Sequence, residues 1–156
     1  MKKKILFVCT GNTCRSPMAE ALFNASVKKY DEIKNKYEAY SAGIYAFEGD
    51  PASHEAIEVM KEEFGIDISS HRARVLYDDD IKNAWLILTM TERHKNMILD
   101  IYPQGADKVF TLKSYAEAND DNPDILDPFG MDIETYKNCA YEIDAMILNV
   151  LDKISQ

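Results

Sequence analysis

Cysteine is scarce in this chain, and long apolar runs are absent. Three cysteines, Cys9, Cys14 and Cys139, are an odd number with no CxxC pair and no zinc spacing, which argues against a secreted disulfide framework. The histidines His54, His71 and His94 are far apart in sequence and form no HxxxH pair, so neither a metal site nor a cofactor is expected. No stretch approaches the ~20 apolar residues of a membrane helix. The apolar run at residues 5–8, behind three lysines, is too short for a secretory leader, and a cytoplasmic location is expected. Positive charge is in deficit: 18 Lys plus Arg against 27 Asp plus Glu give a formal charge of -9. That balance works against attraction to nucleic acid or anionic lipid, so neither is an expected partner. Five prolines and six glycines nowhere cluster into a linker, and no repeat is visible. Residues 1–156 therefore read as one domain, large enough to bury a core without disulfides.

What is present is an alternation of short apolar runs with helical patterns. Residues 5–8, 38–41, 85–88 and 108–112 read as strands. Ser16-Pro17 predicts a helix start, with the serine as cap and the proline at the first helical position. Asp50-Pro51 predicts a second start by the same logic, and Thr91 caps a third helix. Ile133, Tyr136, Ala140, Ile143, Ile147, Val150 and Ile154 recur at steps of three and four, the spacing of a buried stripe on a long final helix. Strands alternating with helices predict an α/β fold with a parallel sheet covered on both faces. In such sheets a ligand binds beyond the carboxyl ends of the strands. Residues 9–16 occupy that place after the first strand.

Between Cys9 and Arg15 lie Thr10, Gly11, Asn12, Thr13 and Cys14, enough backbone for N–H groups to curl round a tetrahedral dianion. Gly11 and Asn12 are suited to the unusual dihedrals such a nest requires. A helix starting near Ser16 adds its positive end, and Arg15 adds a bidentate fork. Positive charge of this kind favours the thiolate form of a cysteine, which makes Cys9 the candidate nucleophile for in-line attack on phosphorus. The expected product is a phosphocysteine, and a second group must then protonate the leaving atom.

Cys9-x5-Arg15-Ser16 directly after a buried strand resembles the signature of the low-molecular-weight protein tyrosine phosphatases. Asp127-Pro128-Phe129 resembles the general-acid loop of that family. Ser41-Ala42-Gly43 and the run from Asp67 to Arg74 resemble further family segments, so the likeness covers nearly the whole chain. The resemblance implies a four-stranded parallel sheet flanked by helices, with the phosphate-binding loop after the first strand. It implies Asp127 as general acid and then general base, and Asn12, Ser16, Ser41 and His71 as the network holding the loop. It also implies phosphorylated proteins as substrates and inorganic phosphate as product.

Thr13 stands where the tyrosine phosphatases usually carry an aliphatic residue, and it resembles the bacterial protein-arginine phosphatase branch. So does Asp127-Pro128-Phe129-Gly130 followed by Ile133 and Tyr136-Lys137. A threonine hydroxyl meets a planar guanidinium better than an isoleucine methyl does, so phosphoarginine is the favoured substrate and phosphotyrosine the alternative. Phe129 is a candidate pocket wall; Phe47 fits either a wall or the core. Cys14 is a candidate redox partner of Cys9, whereas Cys139 reads as a packed thiol. The arsenate reductases that share this loop need two further cysteines after the third strand, and residues 89–102 contain none.

Overall fold

The computed structural model describes residues 1–156. The first apolar run forms β1 (Lys3–Cys9), whose last five residues are all buried because both faces of the strand are covered. After the helix α1 (Arg15–Val27) comes β2 (Tyr37–Gly43), and then α2 (His54–Phe64) and α3 (Asp78–Asn83). β3 (Leu86–Thr89), α4 (Glu92–Ile101), β4 (Val109–Thr111), the short α5 (Leu112–Tyr115) and the long α6 (Ile133–Ile154) complete the chain. The four strands are parallel in the order β2-β1-β3-β4. Register pairs Cys9 with Gly43 and Val8 with Thr89, so the carboxyl ends of the three strands emerge together.

Alternation along β1 divides the core. Ile5, Phe7 and Cys9 join a cluster of 30 buried residues under α1, α2 and α6, while Leu6 and Val8 join a cluster of only eight under α3 and α4. The stripe expected on α6 is buried from Tyr136 to Val150; Ile133 at its start is exposed. No helix is long and apolar enough to cross a membrane.

Several boundaries differ from expectation for local physical reasons. α1 begins at Arg15, one residue before the expected cap, so Ser16 lies inside the first turn and its hydroxyl is released for other partners. Pro17 is then the third helical residue, where its missing N–H costs nothing. Asp50-Pro51 does not open α2: Pro51 bridges Arg72, and Ser53 is the cap, its side chain accepting from the N–H of Ala56. Thr91 caps α4 as expected, accepting from His94 N. Trp85 lies outside β3 and packs against Tyr37 with the two rings tilted by 54°, and Lys3 Nζ lies 4.9 Å from its ring centroid. Leu112 falls into α5 because Thr111 caps that turn by accepting from Ser114 N. The run at residues 78–80 is the acidic first turn of α3, favourable at the positive end of a helix.

Candidate active site

The loop after β1 curls back on itself through Asn12. This residue has φ +56° and no exposed surface, and of the two candidates for an unusual dihedral it alone adopts one; Gly11 does not. Asparagine tolerates this region better than other non-glycine residues. Its side chain explains the choice as well. Asn12 Nδ2 donates to Ser16 Oγ at 2.8 Å and to Ser41 Oγ at 2.9 Å, and Oδ1 accepts from Arg74 N at 2.9 Å. Its carbonyl accepts from His71 Nε2 at 2.8 Å, which fixes the tautomer that His71 presents. The Ser41 hydroxyl in turn donates to Glu20 Oε1 at 2.6 Å. Each of the four loop-supporting residues expected from sequence is thus joined to Asn12 or is Asn12 itself.

Cys9 Sγ lies 2.9 Å from Ser16 Oγ and accepts from Asn12 N at 3.3 Å. Because Ser16 already accepts from Asn12 Nδ2, its hydroxyl proton is free for the sulfur. Arg15 is buried, and its Nη1 donates to the carbonyl of Ile125 at 2.9 Å, which holds the guanidinium across the loop. Its Nη2 is 3.6 Å from Asp127 Oδ2, an ion pair whose carboxylate is half exposed. Phe129 N donates to the other carboxylate oxygen at 3.1 Å, which fixes the turn that carries Asp127.

These elements enclose a pocket of about 370 Å³ lined by Cys9, Thr10, Gly11, Thr13, Cys14, Arg15, Asp127 and Phe129, with Tyr45, Phe47 and Asp50. Phe47 is 77% exposed, so its place is the pocket mouth and not the core. All three cysteines are free thiols. Cys14 sulfur faces Tyr136 Oη at 3.3 Å and Ser53 Oγ at 3.4 Å. Burial first, and then the bond to Cys14, push the Tyr136 phenol upward. Cys139 contacts the Leu126 carbonyl at 3.7 Å, and burial pushes its thiol up to about 12, as for a packed, inert cysteine.

Sequence reasoning missed Tyr45, Asp50, Glu20 and His94. The first two lie just beyond the carboxyl end of β2, which register with β1 brings beside the loop; pairing, not motif, carried that signal. His94 is buried in the first turn of α4, with Nε2 2.9 Å from Thr10 Oγ1 and Nδ1 without a partner. Burial, reinforced by the charge of Arg15, lowers its pKa to about 4. A neutral imidazole therefore abuts the loop across the ordinary pH range.

This geometry has parallels among known proteins. The family model for low molecular weight phosphotyrosine protein phosphatase matches residues 4–156. The chain belongs to that family. It is 43% identical to a protein-arginine-phosphatase of Geobacillus stearothermophilus over 99% of this chain and 97% of that one. It is 36% identical to the low molecular weight protein-tyrosine-phosphatase PtpB of Staphylococcus epidermidis over 97% of this chain and 96% of the other. The crystal structure of the family protein from T. tengcongensis superposes with a TM-score of 0.89 at 48% identity, covering 97% of this chain and 99% of that one. The parallel sheet flanked by helices is thus the fold of this phosphatase family.

Two outcomes follow for the loop. A Cβ on Gly43 would lie 2.6 Å from the Thr10 carbonyl oxygen and 2.9 Å from Asn12 N, both backbone atoms, so Gly43→Ala must shift the loop. Phosphatase turnover should fall at least about tenfold and the urea midpoint should drop, with roughly 1–3 kcal/mol lost to overpacking; unchanged kinetics would contradict the close approach. For His94, the unfolded chain binds a proton near the ordinary 6.5 that the folded chain refuses until about 4. The contribution is present above pH 6.5 and is lost as pH falls towards 4. Urea denaturation at pH 7 and 4.5 should show a smaller loss for His94→Gln than for the wild type.

Proposed function

We infer that this chain is a phosphoprotein phosphatase that removes the phosphoryl group from arginine side chains through a phosphocysteine intermediate. Residues 1–156 act as one catalytic domain. The observation that carries the substrate assignment is Thr13, which lines the catalytic pocket together with the Asp50 carboxylate. A planar, polar guanidinium offers N–H donors to such acceptors, whereas an aryl ring leaves them unpaired. The similarity to a protein named as an arginine phosphatase supports the same choice.

In the first step the Cys9 thiolate attacks phosphorus in line. An S–P bond forms as the P–N bond breaks, and Asp127 gives its proton to the departing guanidine nitrogen. Loop N–H groups and the Arg15 guanidinium stabilise the equatorial oxygens while charge redistributes. In the second step Asp127, now a carboxylate, takes a proton from water as that water attacks phosphorus. The S–P bond breaks and inorganic phosphate leaves. The returning thiolate is met by Ser16 Oγ and Asn12 N, both already aimed at the sulfur. Nothing in this sequence of events requires a further reactant. Three free thiols, one of them the nucleophile, suit a reducing compartment, and we assign the activity to the cytoplasm.

A second substrate, phosphotyrosine, is favoured by a specific feature: Tyr45, Phe47 and Phe129 form an aromatic mouth that accepts a flat ring. The relatives named as tyrosine phosphatases fit it equally.

One measurement tests the shared mechanism and a second separates the two substrates. With an aryl phosphate and chelator present, wild type should turn over and Cys9→Ser should lose activity by a factor on the order of 10³ or more; retained turnover would remove Cys9 from the mechanism. With phosphoarginine and phosphotyrosine proteins compared side by side, wild type should favour phosphoarginine. Thr13→Ile should shift the ratio of kcat/KM values towards phosphotyrosine by about tenfold or more; a wild-type preference for phosphotyrosine that the swap leaves unchanged would overturn the arginine assignment.

A further inference from the structure

The thinner face of the sheet carries an apolar groove of about 460 Å³ between α3 and α4. Ile81 and Ile98, both buried, form its floor, and the exposed Tyr45, Tyr77 and Ile101 form its rim. The groove exists because only eight buried residues cover this side, against 30 on the other. One end is anchored to the catalytic loop: Ile44 N donates to the Cys9 carbonyl at 3.0 Å and Tyr45 N to the Thr10 carbonyl at 2.9 Å. Tyr45 lines both the groove and the catalytic pocket. The two cavities therefore adjoin at Tyr45.

We propose that this groove binds an apolar stretch of the phosphoprotein substrate that flanks the phosphorylated residue. The assignment rests on the phosphoprotein reading, since a residue seated in the pocket requires its neighbours to lie on the surface around the mouth. At about 3.3 Å per extended residue, three to five residues cover roughly 10–17 Å, so a segment leaving the mouth on the Tyr45 side runs towards the groove. Asp78 and Asp100 line the groove as well, and the chain as a whole is acidic. The fitting segment thus combines an aliphatic side chain with a neighbouring lysine or arginine. The same acids argue against a second copy of this chain, because a two-fold pairing would bring like charges together. Exposed tyrosines beside a desolvated floor are the residue types that carry binding energy at protein interfaces.

The test pairs two phosphoarginine peptides, one with leucines three to five residues to either side of the phosphorylated residue and one with serines there, and adds an aryl phosphate as control. Ile101→Glu is the variant, chosen because its side chain is 69% exposed and outside the catalytic pocket. Wild type should favour the leucine peptide by about tenfold in kcat/KM, through KM. Ile101→Glu should abolish that preference while leaving the serine peptide and the aryl phosphate within about twofold of wild type. Equal use of the two peptides by wild type would overturn the proposal. So would an equal loss on the aryl phosphate, which assigns the effect to the catalytic pocket, or a wild-type dimer that the variant dissociates. Failure of the phosphatase reading looks different: wild type would then hydrolyse none of the three compounds.

Discussion

Asn12 holds a left-handed backbone conformation in the interior and satisfies its amide against α1, β2 and the strand-like segment at Arg74. A non-glycine residue in this region costs about 1–2 kcal/mol, and each neutral hydrogen bond returns about 1 kcal/mol. Three side-chain bonds and the His71 contact to its carbonyl offset the strain. The turn at Asn12 is what points its own N–H at Cys9 sulfur and leaves the Ser16 proton free for the same atom. Loss of that turn would leave Cys9 and Arg15 in the chain but not in one site. Gly43 belongs to the same constraint, since its missing Cβ allows β2 to pass within contact of the loop.

The electrostatics of the molecule run against those of its site. A formal charge of -9 repels a phosphate dianion at a distance, yet mobile ions screen that repulsion over about 8–10 Å. Inside this distance the buried Arg15 guanidinium, the N–H groups of the loop and the start of α1 dominate. Asp127 is the one carboxylate bound into this positive field, through its ion pair with Arg15. The proposed proton donor is thereby tied to the loop that carries the proposed nucleophile, with the Ile125 carbonyl fixing the arginine between them.

Much of this was legible in the sequence because it is local. The buried strand, the Cys9-to-Ser16 loop, Thr91 as a cap and the stripe on α6 depend on neighbours within one or two turns. Helix starts were less legible. Ser16-Pro17 and Asp50-Pro51 both carry cap chemistry, but the first serine is claimed by Cys9 and Asn12, and Pro51 is held against Arg72 while Ser53 caps instead. Of the residues that act across the fold, Ser41, His71 and Asp127 were reached only through the family resemblance, and others were not reached at all. Tyr45 and Asp50 reach the pocket only through the pairing of β1 with β2, and His94 meets Thr10 only because β3 lies beside β1. No spacing along the chain encodes those contacts.

Every step of the proposed mechanism depends on transfer of the phosphoryl group to Cys9. The direct measurement is a rapid quench into denaturant during turnover of a phosphoarginine protein, followed by mass mapping of the peptides. Phosphate on the peptide containing Cys9, appearing and decaying at rates that match turnover, is the predicted result. Turnover with an unmodified Cys9, or with the phosphoryl group on His71 or His94, would contradict it.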